Sequence, residues 1–397
     1  MGSIDTEELV CKIKTLPPLN LVVQKLLAVT QKDGASADEV SAILASDQAI
    51  ASKVLALVNS SFYGFPSKIT TISRASVILG NKSIKNLALS FAAMDAFKDY
   101  KGRIPIQDFW SNSLAVATGS QCIAKYIKHP VPEEMFISGL LHDIGSLILS
   151  LFYPEEYEKV LDCGADTFLS SEKSILGVSH QTVGAMLLAH WQLPHVLTHA
   201  VHTHHSYEQV HTNQSMAIIA IAEFMSSLID RNSLTTIPSD VLENSLKALK
   251  IDTEAITSLL KISYSKTLDS EKTFDLQSGS PPLLCDKNLD RTILVLAKKP
   301  FRRSILTAAI RFMGYKVHPF HPRNMHQAAK LKIDGAVFDT TLCKPHIVSS
   351  INEVLESKGT PILEINTATN IENNTPMQCE CFPFALSQVN ELFEGSI

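Results

Sequence analysis

Leu140-Leu141-His142-Asp143-Ile144-Gly145 lies inside a stretch of helical periodicity, Glu133 to Leu151, and its reading decides the architecture. A histidine and a carboxylate side by side in apolar sequence are costly to bury without a partner. The usual partner for such a pair is a metal ion. An α-helical setting can supply further ligands, because separate helices of a bundle can aim side chains at one centre.

Helical spacing extends outward from the pair. Ser36-x-x-Glu39 is a capping box, followed by apolar Val40, Ile43 and Leu44 at i, i+3 and i+4. Asp47 reads as the N-cap of a second helix carrying Ile50, Val54, Leu57 and Val58 on one face. That helix ends in the turn formers Asn59 to Pro66, whose aromatic cluster Phe62-Tyr63-Gly64-Phe65 reads first as core packing and second as a partner surface. Ile72 to Leu89, broken at Gly80-Asn81, and Leu114 to Tyr126 continue the pattern. No strand-like alternation interrupts it up to about residue 265.

The character then changes. Ser265 to Pro282 is polar and ends in Gln277-Ser278-Gly279-Ser280-Pro281-Pro282, the composition of a linker. Beyond it, Thr292–Leu296, Lys316–Phe320, Gly335–Phe338 and Pro361–Ile365 read as short strands, with a helix over Phe301–Met313 closed by Gly314. Alternating β and α elements imply a small parallel α/β sandwich. The expected fold class is therefore multi-domain: an all-α region over 1–263, a linker over 264–290 and an α/β domain over 291–397.

Bulk composition narrows the function. With 397 residues and 45% hydrophobic content there is ample core for two or three domains. A net charge of −5 argues against a nucleic-acid binder. The charge is uneven: from Arg291 onward 12 Lys+Arg face 9 Asp+Glu, whereas the remainder holds 23 against 31. The seven cysteines are scattered without paired C-x-x-C spacing, which fits reduced thiols in a cytoplasmic protein. No apolar run of membrane-spanning length and no signal peptide stand out in the sequence, so no membrane association is expected.

Four segments of the helical half could share one centre: His142-Asp143, His180, His204-His205 and Glu223. Imidazole plus carboxylate suits Fe, Mn, Zn or Ni and does not choose among them. The chain has 14 histidines, and His190, His195, His199 and His202 crowd the same stretch, so composition alone also accounts for an adjacent pair.

These residues resemble the HD superfamily of metal-dependent phosphohydrolases, and more closely its HDOD branch. The resemblance runs from Leu16-Pro17-Pro18-Leu19 through Ser46 to Ala51, Leu57 to Gly64, Ile72 to Gly80 and Trp191-x-Leu193-Pro194 to His204-His205. It implies a helical bacterial signalling module that acts without catalysis, as an output or interaction domain. Against the cyclic-dinucleotide phosphodiesterases of the superfamily, the resemblance aligns Asn112 with an early-helix histidine ligand and Glu223 with a late aspartate. Ser146 replaces the lysine that commonly follows the His-Asp-x-Gly run. One metal position is then damaged, and Asp143, His180, His204 and His205 make up the second. A two-metal hydrolase needs both ions, so the resemblance implies at most one divalent ion and assigns no catalytic residue.

Residues 291–397 resemble a response-regulator receiver. Asp339 fits the phospho-accepting position at the end of the third strand. Ala297-Lys298-Lys299 stands where receivers place the acidic pair that holds Mg²⁺, Asn366 where a hydroxyl is expected, and Phe382 where the lysine is expected. The resemblance therefore implies a pseudo-receiver with Asp339 inactive. Lys298, Lys299, Arg302 and Arg303 read first as a solvated basic helix start and second as an anion-binding group.

The expected function is a bacterial signal-transduction protein that works by protein–protein contact with kinase or second-messenger pathway components, a homodimer being one assembly it allows. Two alternatives stay open: a metal-dependent phosphohydrolase acting on a nucleotide or cyclic dinucleotide, and a non-catalytic sensor of a small anion or nucleotide.

Overall fold

The computed structural model describes residues 4–60, 63–165, 167–229, 234, 236–276, 291–324, 331–340, 343–357 and 359–365, except 31–35. Six helices come first: α1 (Thr6–Thr15), α2 (Leu21–Thr30), α3 (Ala37–Ala45), α4 (Gln48–Val58), α5 (Ile72–Leu79) and α6 (Asn81–Ala96). The capping box forms as expected, with the Ser36 hydroxyl accepting from the Glu39 amide and the Glu39 carboxylate from the Ser36 amide. Asp47 caps α4 by accepting from the amides of Ala49 and Ile50. Gly80 divides α5 from α6 at φ +85°, a conformation open to glycine at no steric cost. Tyr63 and Phe65 stack with ring centroids 6.0 Å apart; Phe62 lies outside the described residues.

The central helix is α7 (Ile106–Tyr126), buried without interruption from Phe109 to Ala124. It packs against α8 (Pro132–Leu141), α14 (Gln214–Leu228) and α16 (Thr253–Phe274). Between them run α9 (Ile144–Phe152), α10 (Pro154–Asp162), α11 (Phe168–Ile175), α12 (His180–His190), α13 (His195–Thr203) and, after α14, α15 (Ser239–Leu249). Two expectations change here. The helix expected over Glu133 to Leu151 is two helices, parted at His142-Asp143, where Asp143 adopts φ −97°, ψ 8°. The break turns the pair into a helix junction and lets both side chains face the interior. The expected linker also begins later, since α16 carries helix through 264–274; 277–290 lie outside the described residues.

Residues Pro132–Phe152 are apolar and long enough to cross a membrane by length and composition, contrary to the sequence reading. The stretch is 89% buried inside this fold, as a core helix pair is.

The C-terminal part is a four-stranded parallel sheet in the order β2-β1-β3-β4. Its strands are β1 (Thr292–Ala297), β2 (Lys316–Phe320), β3 (Gly335–Asp339) and β4 (Ile362–Ile365), with α17 (Pro300–Phe312) following β1 and α18 (Pro345–Glu356) following β3. Central β3 is buried throughout and β1 nearly so, whereas edge strand β2 is largely exposed. Continuous apolar runs in the middle and a polar edge are what a parallel sheet covered by helices requires. The sheet unit leans on the helical region: α16 packs on α17, with Tyr264 edge-on to Phe312 and the Thr257 hydroxyl donating to the Ala308 carbonyl at 3.1 Å.

Candidate metal centre

The break between α8 and α9 sets Asp143 in the middle of the bundle. Two glycines make this possible. A Cβ on Gly145 would stand 2.0 Å from the His180 carbonyl oxygen and 2.6 Å from the Gly184 amide. A Cβ on Gly184 would in turn meet Val201 at 3.0 Å. Backbone therefore touches backbone where α9 crosses α12, and His180, the first residue of α12, reaches Asp143. His204 and His205 follow the end of α13, and Glu223 comes from α14.

The structure brings six of the residues singled out in the sequence to one place. Asp143 Oδ1 is 3.2 Å from His180 Nε2 and 3.4 Å from His204 Nε2. Asp143 Oδ2 is 3.2 Å from His142 Nε2. Glu223 Oε1 lies 3.8 Å from His142 Nε2 and 3.9 Å from His205 Nε2. Asp143, His180, His204 and His205 offer ligand atoms that all lie within 4.8 Å of one another. Every one of these side chains is at most 2% exposed.

A second ring of contacts aims the imidazoles. Nδ1 of His142 donates to the Gly139 carbonyl at 2.7 Å, and Nδ1 of His204 to the Val201 carbonyl at 2.7 Å. Nδ1 of His205 pairs with the Tyr207 hydroxyl at 2.8 Å. Nδ1 of His180 donates to Glu172 Oε2 at 2.7 Å. All four rings thus turn Nε2 inward. His142 Nε2, Asp143 Oδ1 and His205 Nε2 are buried with no hydrogen bond of acceptable geometry among the described residues. Buried polar atoms are ordinarily paired, and inward Nε2 atoms with outward Nδ1–H donors are the arrangement metal-ligating histidines adopt. The donor set of Asp143, His180, His204 and His205 therefore fits a metal ion, with His142 and Glu223 alongside. Such an ion would tie together the helix ends that carry its ligands.

The electrostatics of the cluster follow from burial set against charge. Burial works against a charged His180, yet the Glu172 and Asp143 carboxylates outweigh it and raise its pKa to about 10. His142 moves up against burial as well, through Asp143 and then Glu223. Burial pushes His204 down to about 4, with the neighbouring His180 and His142 assisting against the pull of the nearby Asp143 carboxylate. His205 falls well below the ordinary range by burial and the charge of His204. Asp143 drops far below the usual carboxylate range, because its desolvation is overcome by the charge of His142 and the close approach of His180 and His204.

The remaining residues fall elsewhere. Asn112 is buried, and its Oδ1 accepts from Ser226 Oγ at 2.7 Å, one helical turn after Glu223. Ser146 is fully buried. Asp339, in the sheet, is buried against Arg302, whose Nε donates to Oδ2. Arg302 is only 1% exposed, so it does not belong to a solvated basic helix start as expected; the carboxylate and the α15 contact draw it inward. Asn366 and Phe382 lie outside the described residues. Sequence reasoning missed Glu172, Tyr157 and Tyr207. The Tyr157 hydroxyl donates to Glu172 Oε1 at 3.3 Å, completing a buried chain that starts at His180.

Comparison with known proteins supports the helical fold. An uncharacterized protein of Treponema pallidum (strain Nichols) is 24% identical over 205 residues, 49% of this chain. The match spans only 38% of that relative's length. The structure of a candidate phosphohydrolase from Shewanella amazonensis SB2B is 25% identical and aligns with 67% of this chain and 97% of its own, at a TM-score of 0.55. An HDOD domain protein of unknown function from Geobacter sulfurreducens is 24% identical over 68% of this chain and 99% of its own, also at 0.55. The HDOD family model matches residues 16–207, which hold the His-Asp junction and every histidine of the cluster. With the motifs, the helical architecture and this match in agreement, the chain contains an HDOD domain.

Proposed function

We propose that this chain is a signalling module that acts by protein–protein contact, with the His/Asp cluster holding one divalent ion as a structural centre. The observation that carries this reading is the burial of the donor set: each side chain is at most 2% exposed, and Asn112, at the position of the early ligand, is engaged by Ser226. A hydrolytic centre needs an open coordination position that substrate and water can reach. A buried ion joining helices α9, α12 and α13 serves instead to fix their packing, as structural metal sites do. The sheet unit supports a degenerate receiver in the same sense. Its strand order is that of the first four strands of a flavodoxin-like sheet, and the carboxylate at the end of β3 is already paired with Arg302. The expected partners are signalling proteins of a kinase or second-messenger pathway.

The phosphohydrolase reading has one support, the 25% identical Shewanella relative and its name. Elemental analysis of protein purified with added Mn, Fe, Zn or Ni, combined with a turnover assay on a cyclic dinucleotide, separates the two. One ion per chain and no turnover is the expected result. Two ions per chain, with turnover abolished by Asp143→Ala, would make the chain an enzyme.

A further inference from the structure

β1 and β3 are the central strands, and the sheet extends from them in opposite directions, to β2 on one side and β4 on the other. Doubly wound sheets open a crevice at such a point, beyond the C-terminal ends of the strands, and ligands settle there. In this chain the side chain of Arg302 occupies that point. Ala297 and Asp339 end β1 and β3 in register with each other. Arg302, in the first turn of α17, reaches the Asp339 carboxylate with two donors, Nε to Oδ2 at 2.5 Å and Nη2 to Oδ1 at 3.3 Å. Its remaining nitrogen, Nη1, donates to the hydroxyl of Ser239 at 2.8 Å. Ser239 is the first residue of α15 and belongs to the helical region. Arg302 and Asp339 are each 1% exposed and Ser239 is 5% exposed.

We propose that this crevice is a docking socket for the chain's own helix α15, and that Arg302 is its latch. The planar guanidinium is divided between two domains: one edge neutralises the carboxylate of the sheet, and the other holds the start of α15. Around it the seam is apolar, with Ile256, Leu259 and Leu260 of α16 in one cluster with Ile305, Ala309 and Phe312 of α17. Apolar burial supplies attraction without direction. A buried ion pair contributes little net stability over an apolar replacement, and its best-attested use is to specify one geometry. Arg302 thus sets the orientation in which the sheet unit docks. The docked helix α15 packs on α14, the helix that carries Glu223, so the socket stands one helix away from the His/Asp cluster. The proposal depends neither on a bound metal nor on the receiver reading.

Hydrogen–deuterium exchange of the full chain tests it. Ser239→Ala removes the interdomain arm and leaves the Arg302–Asp339 pair intact. We expect it to speed exchange in 239–249 and 300–312 by about tenfold, the size of one lost hydrogen bond to a charged group, with 335–339 unchanged. Arg302→Met should speed exchange in all three segments and leave 144–152 at the wild-type rate. The latch is overturned if Ser239→Ala exchanges like the wild type in 239–249 and 300–312, because Arg302 would then serve the sheet alone. Should Arg302→Met fail to fold, Ser239→Ala still gives either outcome.

Discussion

Glu172 Oε2 accepts two hydrogen bonds from one residue, 2.7 Å from His180 Nδ1 and 2.9 Å from the His180 amide. The same oxygen therefore fixes both the ring and the backbone at the start of α12. Carboxylates that hold a ligating imidazole in this way typically contribute 10–100-fold to metal affinity, by orienting the ring and raising its basicity. Glu172→Ala is expected to weaken binding of Zn²⁺ or Mn²⁺ by about that factor, measured by isothermal titration. Unchanged affinity in a folded variant would remove Glu172 from the centre.

Gly145 leaves no room for a side chain where α9 crosses α12. A methyl group there must stand 2.0 Å from the His180 carbonyl, so α9 and α12 must part. Overpacking of this kind costs about 1–3 kcal/mol or more. Gly145→Ala should lower the urea midpoint accordingly and weaken metal binding with it, because the separation draws His180 away from Asp143. Gly164, at φ +82° with open space around it, is the contrasting case: its alanine variant carries backbone strain but should leave metal binding unaltered.

Stability of the chelator-treated protein should peak near the ordinary pKa of histidine. His204 titrates at about 4 when folded, so between 4 and 6.5 the unfolded chain takes up a proton that the folded chain refuses. Stability therefore falls as pH drops through that window. His180 titrates at about 10 when folded, so between 6.5 and 10 the folded chain holds a proton that the unfolded chain releases. Stability then falls as pH rises. Each slope has a limit of about 1.4 kcal/mol per pH unit per proton. Urea melts at pH 5, 6.5 and 9 check both arms, and a monotonic profile would contradict the assignment. His180→Gln should flatten the alkaline arm.

What the sequence revealed, and what it did not, has a physical basis. The His-Asp junction, the capping box at Ser36 and the N-cap at Asp47 are local, so spacing alone displays them. Strands β1 and β3 could be read because a covered parallel sheet demands short continuous apolar runs. Glu172 could not, since its link to His180 depends on how α11 folds back onto α12 and no fixed spacing announces it. Arg302 misled for a related reason. Among Lys298, Lys299 and Arg303 it looks like one more surface charge, and only the register that brings Asp339 beside Ala297 shows where it goes. The polar stretch 265–274 reads as linker because its composition is hydrophilic. In the fold it is the end of α16, where Thr267, Ser270 and Glu271 are buried against α7, Thr118 pairing with Thr267 and Ser111 with Glu271.

Asn112 distinguishes a lost ligand from a retained one. Its Oδ1 is committed to the Ser226 hydroxyl at 2.7 Å, and both residues are buried. If Asn112 only ties α7 to α14, Asn112→Ala should leave the metal content unchanged. It should still destabilise the protein by about 1–3 kcal/mol, the cost of leaving a buried hydroxyl unpaired. A ligand role predicts a different pattern, in which metal content falls together with stability. Denaturation and elemental analysis of the same preparations tell these patterns apart. Asn112→Ala combined with Ser226→Ala completes the argument. Removing both partners should recover part of the lost stability, since no polar group of the pair is then left buried and unsatisfied.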